Sequence, residues 1–256
     1  AQRRARRIVN ARTRLHRGFS GGAPRAVAAG VWVLRGWFPR VMNVYLIEDQ
    51  DGVTVFDAGV SAMTGAIRGA AVHLGGIRRV VLGHADCDVR GAAAGLGAPV
   101  YCHALERSAA QAPSPFRDYW NLDLLPRSRR SLYPLLMSAW DGGGLEPAGT
   151  VSEDDQIAGF RVVHLPGHAP GQIGLFREED RLALVSDCFF RIDAGSGRRI
   201  EARVPHPAFN QDTQQARESI RKLAALRPQV AWPAHGRPAS GEDIDLQLQR
   251  AASAAV

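Results

Sequence analysis

The 256-residue chain reads as an α/β layered sandwich, and three observations carry that reading. Apolar strands recur in both halves of the chain with helical stretches between them, a pattern of layers and not of an all-β barrel. Four of those strands end in an Asp or a His followed by a turn. The composition, 45% hydrophobic and 22% charged, suits one large domain with a full core.

The elements follow in order. Residues 1–17 hold Arg3, Arg4, Arg6, Arg7, Arg12, Arg14 and Arg17. They read as a basic N-terminal arm, residues 1–20, that is a solvated helix or a frayed tail. A single domain, residues 21–256, follows it. The net charge is +7, but Lys222 is the only lysine, so the arginine excess reflects coding bias as much as function. No nucleic-acid partner is expected. No apolar stretch reaches membrane-spanning length, and Gly21-Gly22, Pro24 and Arg25 break up residues 18–30 where a signal peptide needs an apolar run. No membrane partner is expected either. Cys87, Cys102 and Cys188 form no CxxC pair, which fits a reduced, cytoplasmic protein.

Residues 26–34, 41–48 and 53–57 alternate or run apolar, with a hairpin signal at Asp51-Gly52. Asp57-Ala58-Gly59 closes the last of them. Met63, Ile67, Ala70, Ala71 and Leu74 are spaced for a helix over 61–74. Strand 78–82, a short helix near 90–96, strand 99–102 and a helix from 103 complete the first half. The second half repeats the order, with strands near 160–165, 172–176 and 181–186, helix 211–226 and strand 229–232. Between the halves, residues 112–147 combine aromatic and apolar residues (Phe116, Tyr119, Trp120, Tyr133, Trp140) with Arg117, Arg127, Arg129 and Arg130. This segment reads as a helical cap insertion or a homodimer surface, and an ordinary core helix pair accounts for it equally well.

The chemistry gathers at the strand ends. After Val80-Val81-Leu82 come His84, Asp86 and Asp88 at alternate positions, which point one way on extended backbone. They form a metal cradle, or else a polar turn with Asp88 as N-cap. Pro166-Gly167 forbids a helix between His164 and His168, so His168 sits at the apex of a turn and His164 is a packed or surface residue. Asp187 ends the run Leu182–Ser186, and His235 ends the run from Val230. Side chains converging from several strand ends are how a sheet builds a site.

Taken together, residues 40–60, 78–95, 160–176, 181–190 and 229–237 resemble the metallo-β-lactamase fold superfamily. The resemblance rests on NVYLIEDQDGVTVFDAG, PGHAPG, LVSD and PAHG. It implies a four-layer αββα sandwich of the metallo-β-lactamase type, with metal ions between the two sheets. By matched position, His84 and His168 serve a first metal, Asp88 and His235 a second, and Asp187 bridges them. The family motif His-x-His-x-Asp-His reads here His84-Ala85-Asp86-Cys87-Asp88-Val89. Asp86 takes the place of an imidazole at the first metal, and Val89, which cannot ligate, leaves the second site weaker.

One or two divalent ions are expected, zinc first by the resemblance. The oxygen-rich set His84, Asp86, His168 and Asp187 moves the preference toward iron or manganese. The implied activity is a metal-dependent hydrolase of an ester, lactone or thioester-like substrate. It uses a water acidified by the metal, with Asp88 holding or accepting its proton. The alternatives are a mononuclear iron oxidoreductase resembling persulfide dioxygenases, which use the positions of His84, His168 and Asp187, and a catalytically degenerate ligand-binding member. The cap arginines and aromatics suggest a small-molecule substrate with an acidic group and an apolar body. Cys87 and Cys188 are read as small buried hydrophobes, and His73 and His103 as structural. His206, between two prolines, stays outside the ligand set.

Overall fold

Apolar residues alternate along the strands, and that period of two decides the layering. The computed structural model describes residues 23–36, 42–193 and 198–254, so the basic arm lies outside the described residues. The first sheet takes its strands in chain order: β1 (Arg25–Ala28), β2 (Val31–Gly36), β3 (Met42–Asp49), β4 (Gly52–Phe56), β5 (Ile77–Val81), β6 (Val100–His103) and β7 (Gly149–Val151). Pairing is antiparallel from β1 to β4 and parallel from β4 to β7.

Parallel pairs need crossovers, and helices supply them. A 3-10 turn at Ser61–Met63 leads into α1 (Thr64–Val72). The short helices α2 (Cys87–Arg90) and α3 (Ala93–Leu96) join β5 to β6, and α4 (Arg107–Gln111), α5 (Arg127–Arg130) and α6 (Leu132–Trp140) precede β7.

The second half holds β8 (Gln156–Ile157), β9 (Phe160–His164), β10 (Ile173–Arg177) and β11 (Leu182–Leu184). After them come a ribbon of β12 (Phe190–Ile192) and β13 (Arg199–Arg203), then α7 (Thr213–Ala225), β14 (Val230–Trp232), β15 (Ala239–Ser240) and α8 (Ile244–Ser253). Its sheet runs β15-β14-β11-β10-β9-β8, with β11 and β14 parallel.

Val31, Val33, Tyr45, Ile47, Phe56 and Val81 of the first sheet meet Phe160, Val162, Ile173, Leu175, Leu182 and Leu184 of the second in a core between the sheets. Their strand neighbours Leu34, Val44, Leu46, Val55 and Val80 face the other way, onto Ile67, Leu96, Met137 and Trp140. Val163, Phe176 and Ala183 likewise face Ile220, Leu223 and Leu248. Helix, sheet, sheet, helix: the molecule is the αββα sandwich expected from the sequence.

Local differences have physical reasons. The expected strand over 26–34 is a hairpin, folded at Ala29-Gly30 with Gly30 at φ +65°. The helix expected over 61–74 begins as the 3-10 turn and stops at Val72. Strands β7, β8, β12 and β15 are too short for a period to show, β13 is mostly exposed, and α8 presents mostly alanines and leucine to the core. In the 112–147 segment, α6 puts Tyr133, Met137 and Trp140 into the outer core while Leu135 stays 71% exposed. Among the described residues, no helix is long and apolar enough to cross a membrane.

Candidate metal centre

Each ligand-capable side chain sits just past a strand end. Gly83, two residues beyond β5, donates its N–H to Asp57 Oδ1 at 2.7 Å, and its carbonyl accepts from Ile173 N at 2.7 Å. A Cβ at Gly83 would lie 2.4 Å from both Cβ and Oγ of Ser186, so only glycine lets the loop pass. His84 follows at once. Asp86 occupies the N-cap position of α2, yet its side chain makes no cap hydrogen bond and turns toward the imidazoles. Asp88 lies in the first turn of α2, which corrects the alternative reading of it as the N-cap.

His168 follows the Pro166-Gly167 turn, where Gly167 is at φ +125°. Asp187 follows Ser186, whose own φ is +45°. The loop carrying His235 is tied to β3: Asn43 Nδ2 donates to the carbonyls of Pro233 (2.8 Å) and Gly236 (3.0 Å), and Tyr45 Oη donates to the Pro233 carbonyl at 2.6 Å.

The six sequence-selected residues converge. Asp187 Oδ2 lies 3.7 Å from His84 Nε2, 3.6 Å from His168 Nε2 and 3.3 Å from His235 Nε2. Asp86 Oδ2 lies 3.4 Å from His84 Nε2 and 3.3 Å from His168 Nε2, and Asp88 Oδ2 lies 3.3 Å from His235 Nε2. Two ligand sets have donor atoms within 4.8 Å of one another, His84–His168–Asp187 and Asp88–Asp187–His235, with Asp187 common to both. His84, Asp86, His168, Asp187 and His235 are buried, and Asp88 is half-buried.

Such a cluster must find positive charge. Burial lowers the His84 pKa, but Asp86, then Asp187 and Asp57, reverse this and bring it to about 9. Burial likewise opposes His235, and Asp187 with Asp88 holds it well above its usual value. Burial raises Asp187, and His235, His84 and His168 outweigh it. A divalent cation meets the same demand as those protons. The donor set fits one: His84 Nε2 and Asp187 Oδ1 are buried with no hydrogen-bond partner.

The sequence did not reveal the residues that aim these ligands. His168 Nδ1 lies 3.1 Å from Asn210 Oδ1, an acceptor, so the ring carries its proton there and leaves Nε2 free to ligate. His84 Nδ1 lies 3.1 Å from Ser186 Oγ, and the same Ser186 hydroxyl favours the ionised form of the Asp57 carboxyl. Burial pushes that carboxyl up to about 7, against the opposing pull of His84. Asp57 bears the same signature as the chosen residues, a carboxylate at a strand end. Ser186 and Asn210 carry no such signal.

Glu106 is fully buried, accepting from Ala85 N and Gly171 N, both at 3.0 Å, and from Arg117 Nη2 at 2.7 Å. Arg117 Nε is also 3.3 Å from Asp86 Oδ1. Arg130 is engaged by Asp123 and the Leu125 carbonyl.

The remaining residues take structural places. His164 stacks on His103 with ring centroids 4.4 Å apart, and its Nε2 lies 3.0 Å from the Pro170 carbonyl. The three cysteines are free and buried, and burial raises each thiol, Cys102 to about 12. Val89 is buried, and its carbonyl accepts from Ala58 N at 2.7 Å. His206 Nδ1 accepts from Ala208 N at 3.1 Å. Phe190 has its ring 6.2 Å from His168 and 5.3 Å from His235, an apolar wall against the cluster.

A His/Asp cluster with the composition to hold a metal ion, at the strand ends of an αββα sandwich, defines a class of metal-site proteins. The chain belongs to the metallo-beta-lactamase superfamily, whose sequence profile matches residues 37–235. It is similar to the Bacillus subtilis strain 168 protein named Probable metallo-hydrolase YflN, 26% identical over 254 residues, covering 91% of this chain and 93% of that protein. Its fold is similar to metallo-beta-lactamase family protein TTHA1429 from Thermus thermophilus (TM-score 0.61, 20% identity, 89% of this chain and 78% of that one). It is also similar to TTHA1623, solved in a di-iron-bound form (TM-score 0.56, 24% identity, 78% of this chain and 89% of that one).

Proposed function

We propose that the protein is a metal-dependent hydrolase of a small substrate with an ester, lactone or thioester-like carbonyl. The observation that carries this reading is the convergence of three imidazole Nε2 atoms on Asp187 Oδ2, with buried donors left without partners. His84, Asp86, His168 and Asp187 would hold one divalent ion, and Asp88, His235 and a share of Asp187 a weaker second. A metal bound there supplies Lewis acidity and brings the pKa of water toward neutrality.

The chain's own residues do the rest. Asp88, the least buried of the six, accepts and holds a proton at Oδ2. Phe190, half-buried beside His168 and His235, offers an apolar substrate body a surface, and Phe209, Tyr133 and Trp120 pack together in the core. Arg117 is committed to Asp86 and Glu106 and Arg130 to Asp123, which leaves Arg127 and Arg129 of α5 as the cap arginines for an acidic substrate group.

The test is a panel of lactones, thioesters and esters, assayed with the protein loaded with zinc, manganese or ferrous iron and with chelator-stripped protein. Metal-dependent turnover of at least one class, lost by Asp88→Asn, is the expected result. Equal rates with and without metal would overturn the reading.

A second reading has its own support. His84, His168 and Asp187 make a two-histidine, one-carboxylate set, a composition suited to a single iron. Iron as the metal retained by purified protein, with consumption of a persulfide in place of hydrolysis, would favour it.

A further inference from the structure

We propose that Arg117 sets the charge of the metal cluster by pairing with Asp86, so that the 112–147 segment is a working part of the site. The inference rests on the metal-binding part of the reading above. Arg117 Nε lies 3.3 Å from Asp86 Oδ1, while Asp86 Oδ2 faces the two imidazoles. The guanidinium charge therefore stands beside one oxygen, which has no hydrogen-bond partner, and leaves the other to the cation. Among the described ion pairs, Arg117 is the permanently charged group that touches a cluster carboxylate. Its side chain is 8% exposed, and such a charge in such a place needs partners.

Arg117 is itself held on three sides. Nη2 donates to Glu106 Oε2 at 2.7 Å, Nε donates to Tyr119 Oη at 3.0 Å, and the guanidinium lies 5.3 Å from the Tyr119 ring centre. Glu106 anchors both ligand loops through Ala85 N and Gly171 N. The cap, the His84 loop and the His168 loop thus share one buried network. Arg117 is a positioning residue that acts through Asp86, and its charge offsets part of the attraction that Asp86 exerts on the cation.

A signed cycle of zinc affinities, measured by competition with a chromophoric chelator, tests this. Arg117→Gln removes the charge and leaves a neutral polar side chain beside Asp86, so zinc binds about ten-fold tighter or more. Asp86→His beside an intact Arg117 leaves a surplus positive charge, and zinc binds about ten-fold weaker or more. The double variant returns to within about three-fold of the original protein, and Arg117→Lys stays there alone. A purely structural role for Arg117 moves every affinity downward and gives no such restoration. Asp86→His that binds zinc as tightly as the original protein, or more tightly, overturns the proposal, and this arm decides it even where an Arg117 variant fails to fold. Should the original protein take up no metal at all, the hydrolase reading falls together with it; metal uptake without the signed pattern sinks the charge pairing alone.

Discussion

Asp57 and Ser186 hold left-handed backbone, φ +57° and +45°, just past the ends of strands in the two sheets. Non-glycine residues in that region cost roughly 1–3 kcal/mol each and persist where surrounding contacts fix them. Here the fixing contacts are Gly83 N to Asp57 and Ser186 to the outer nitrogen of His84. The strain is repaid in aim, because a histidine ligates well only when its other nitrogen is committed. Ser186→Ala and Asn210→Ala each remove such a commitment without touching a ligand. Each is expected to weaken metal binding by about 10–100-fold while the metal-free protein still folds. Unaltered affinity in both variants, measured by chelator competition, would show that the outer hydrogen bonds do not orient the rings. Asp86 is the complementary case. Asp86 was readable as a ligand candidate from the alternation of His84, Asp86 and Asp88, whereas its partner Arg117 lies 31 positions further along and had no pattern to betray it.

The element that joins the site to the 112–147 segment is α2. Arg90, at its end, is 2% exposed and reaches the 112–147 segment. Its Nε and Nη2 each donate to Asp141 at 3.0 Å, Nη2 also to the Ser114 carbonyl at 3.1 Å, and Nη1 to the carbonyls of Ala109 and Ala110. Truncating one side of a buried, fully hydrogen-bonded ion pair leaves the other side charged and unpaired. Arg90→Ala should therefore lower stability by about 3–5 kcal/mol in urea unfolding. A loss under about 1 kcal/mol, the range of an exposed pair, would mean that the segment packs independently of α2. The elements themselves were legible to different degrees. β3, β4 and the hairpin at Asp51-Gly52 announced themselves because five to eight residues alternate between two buried faces. α7 did so too, with Asp212 capping Gln214 N and Gln215 N as a helix start should. β8 and β15, two residues each, exist only because a neighbouring strand pairs with them, which no local pattern encodes.

Across the whole molecule, the sandwich brings together residues separated by up to 151 positions, from His84 to His235. Both sheets end their strands on one edge, and their shared core of Val, Ile, Leu, Phe and Tyr side chains holds those ends within a few ångströms. The layering could be read from the sequence because periodicity is local. The convergence could be read only by noticing the same ending on four strands, and the supporting residues Asn210, Glu106 and Arg117 lay beyond it because their roles are set by tertiary neighbours. Asp187 is the point through which every part of the cluster passes, since its Oδ2 faces all three imidazoles. The most direct measurement is therefore elemental analysis of protein purified without chelator, for the original chain and for Asp187→Ala. The expected result is at least one zinc, iron or manganese ion per chain in the first and almost none in the second. Equal metal content in the two, or none in the original chain, would contradict a metal centre built on Asp187.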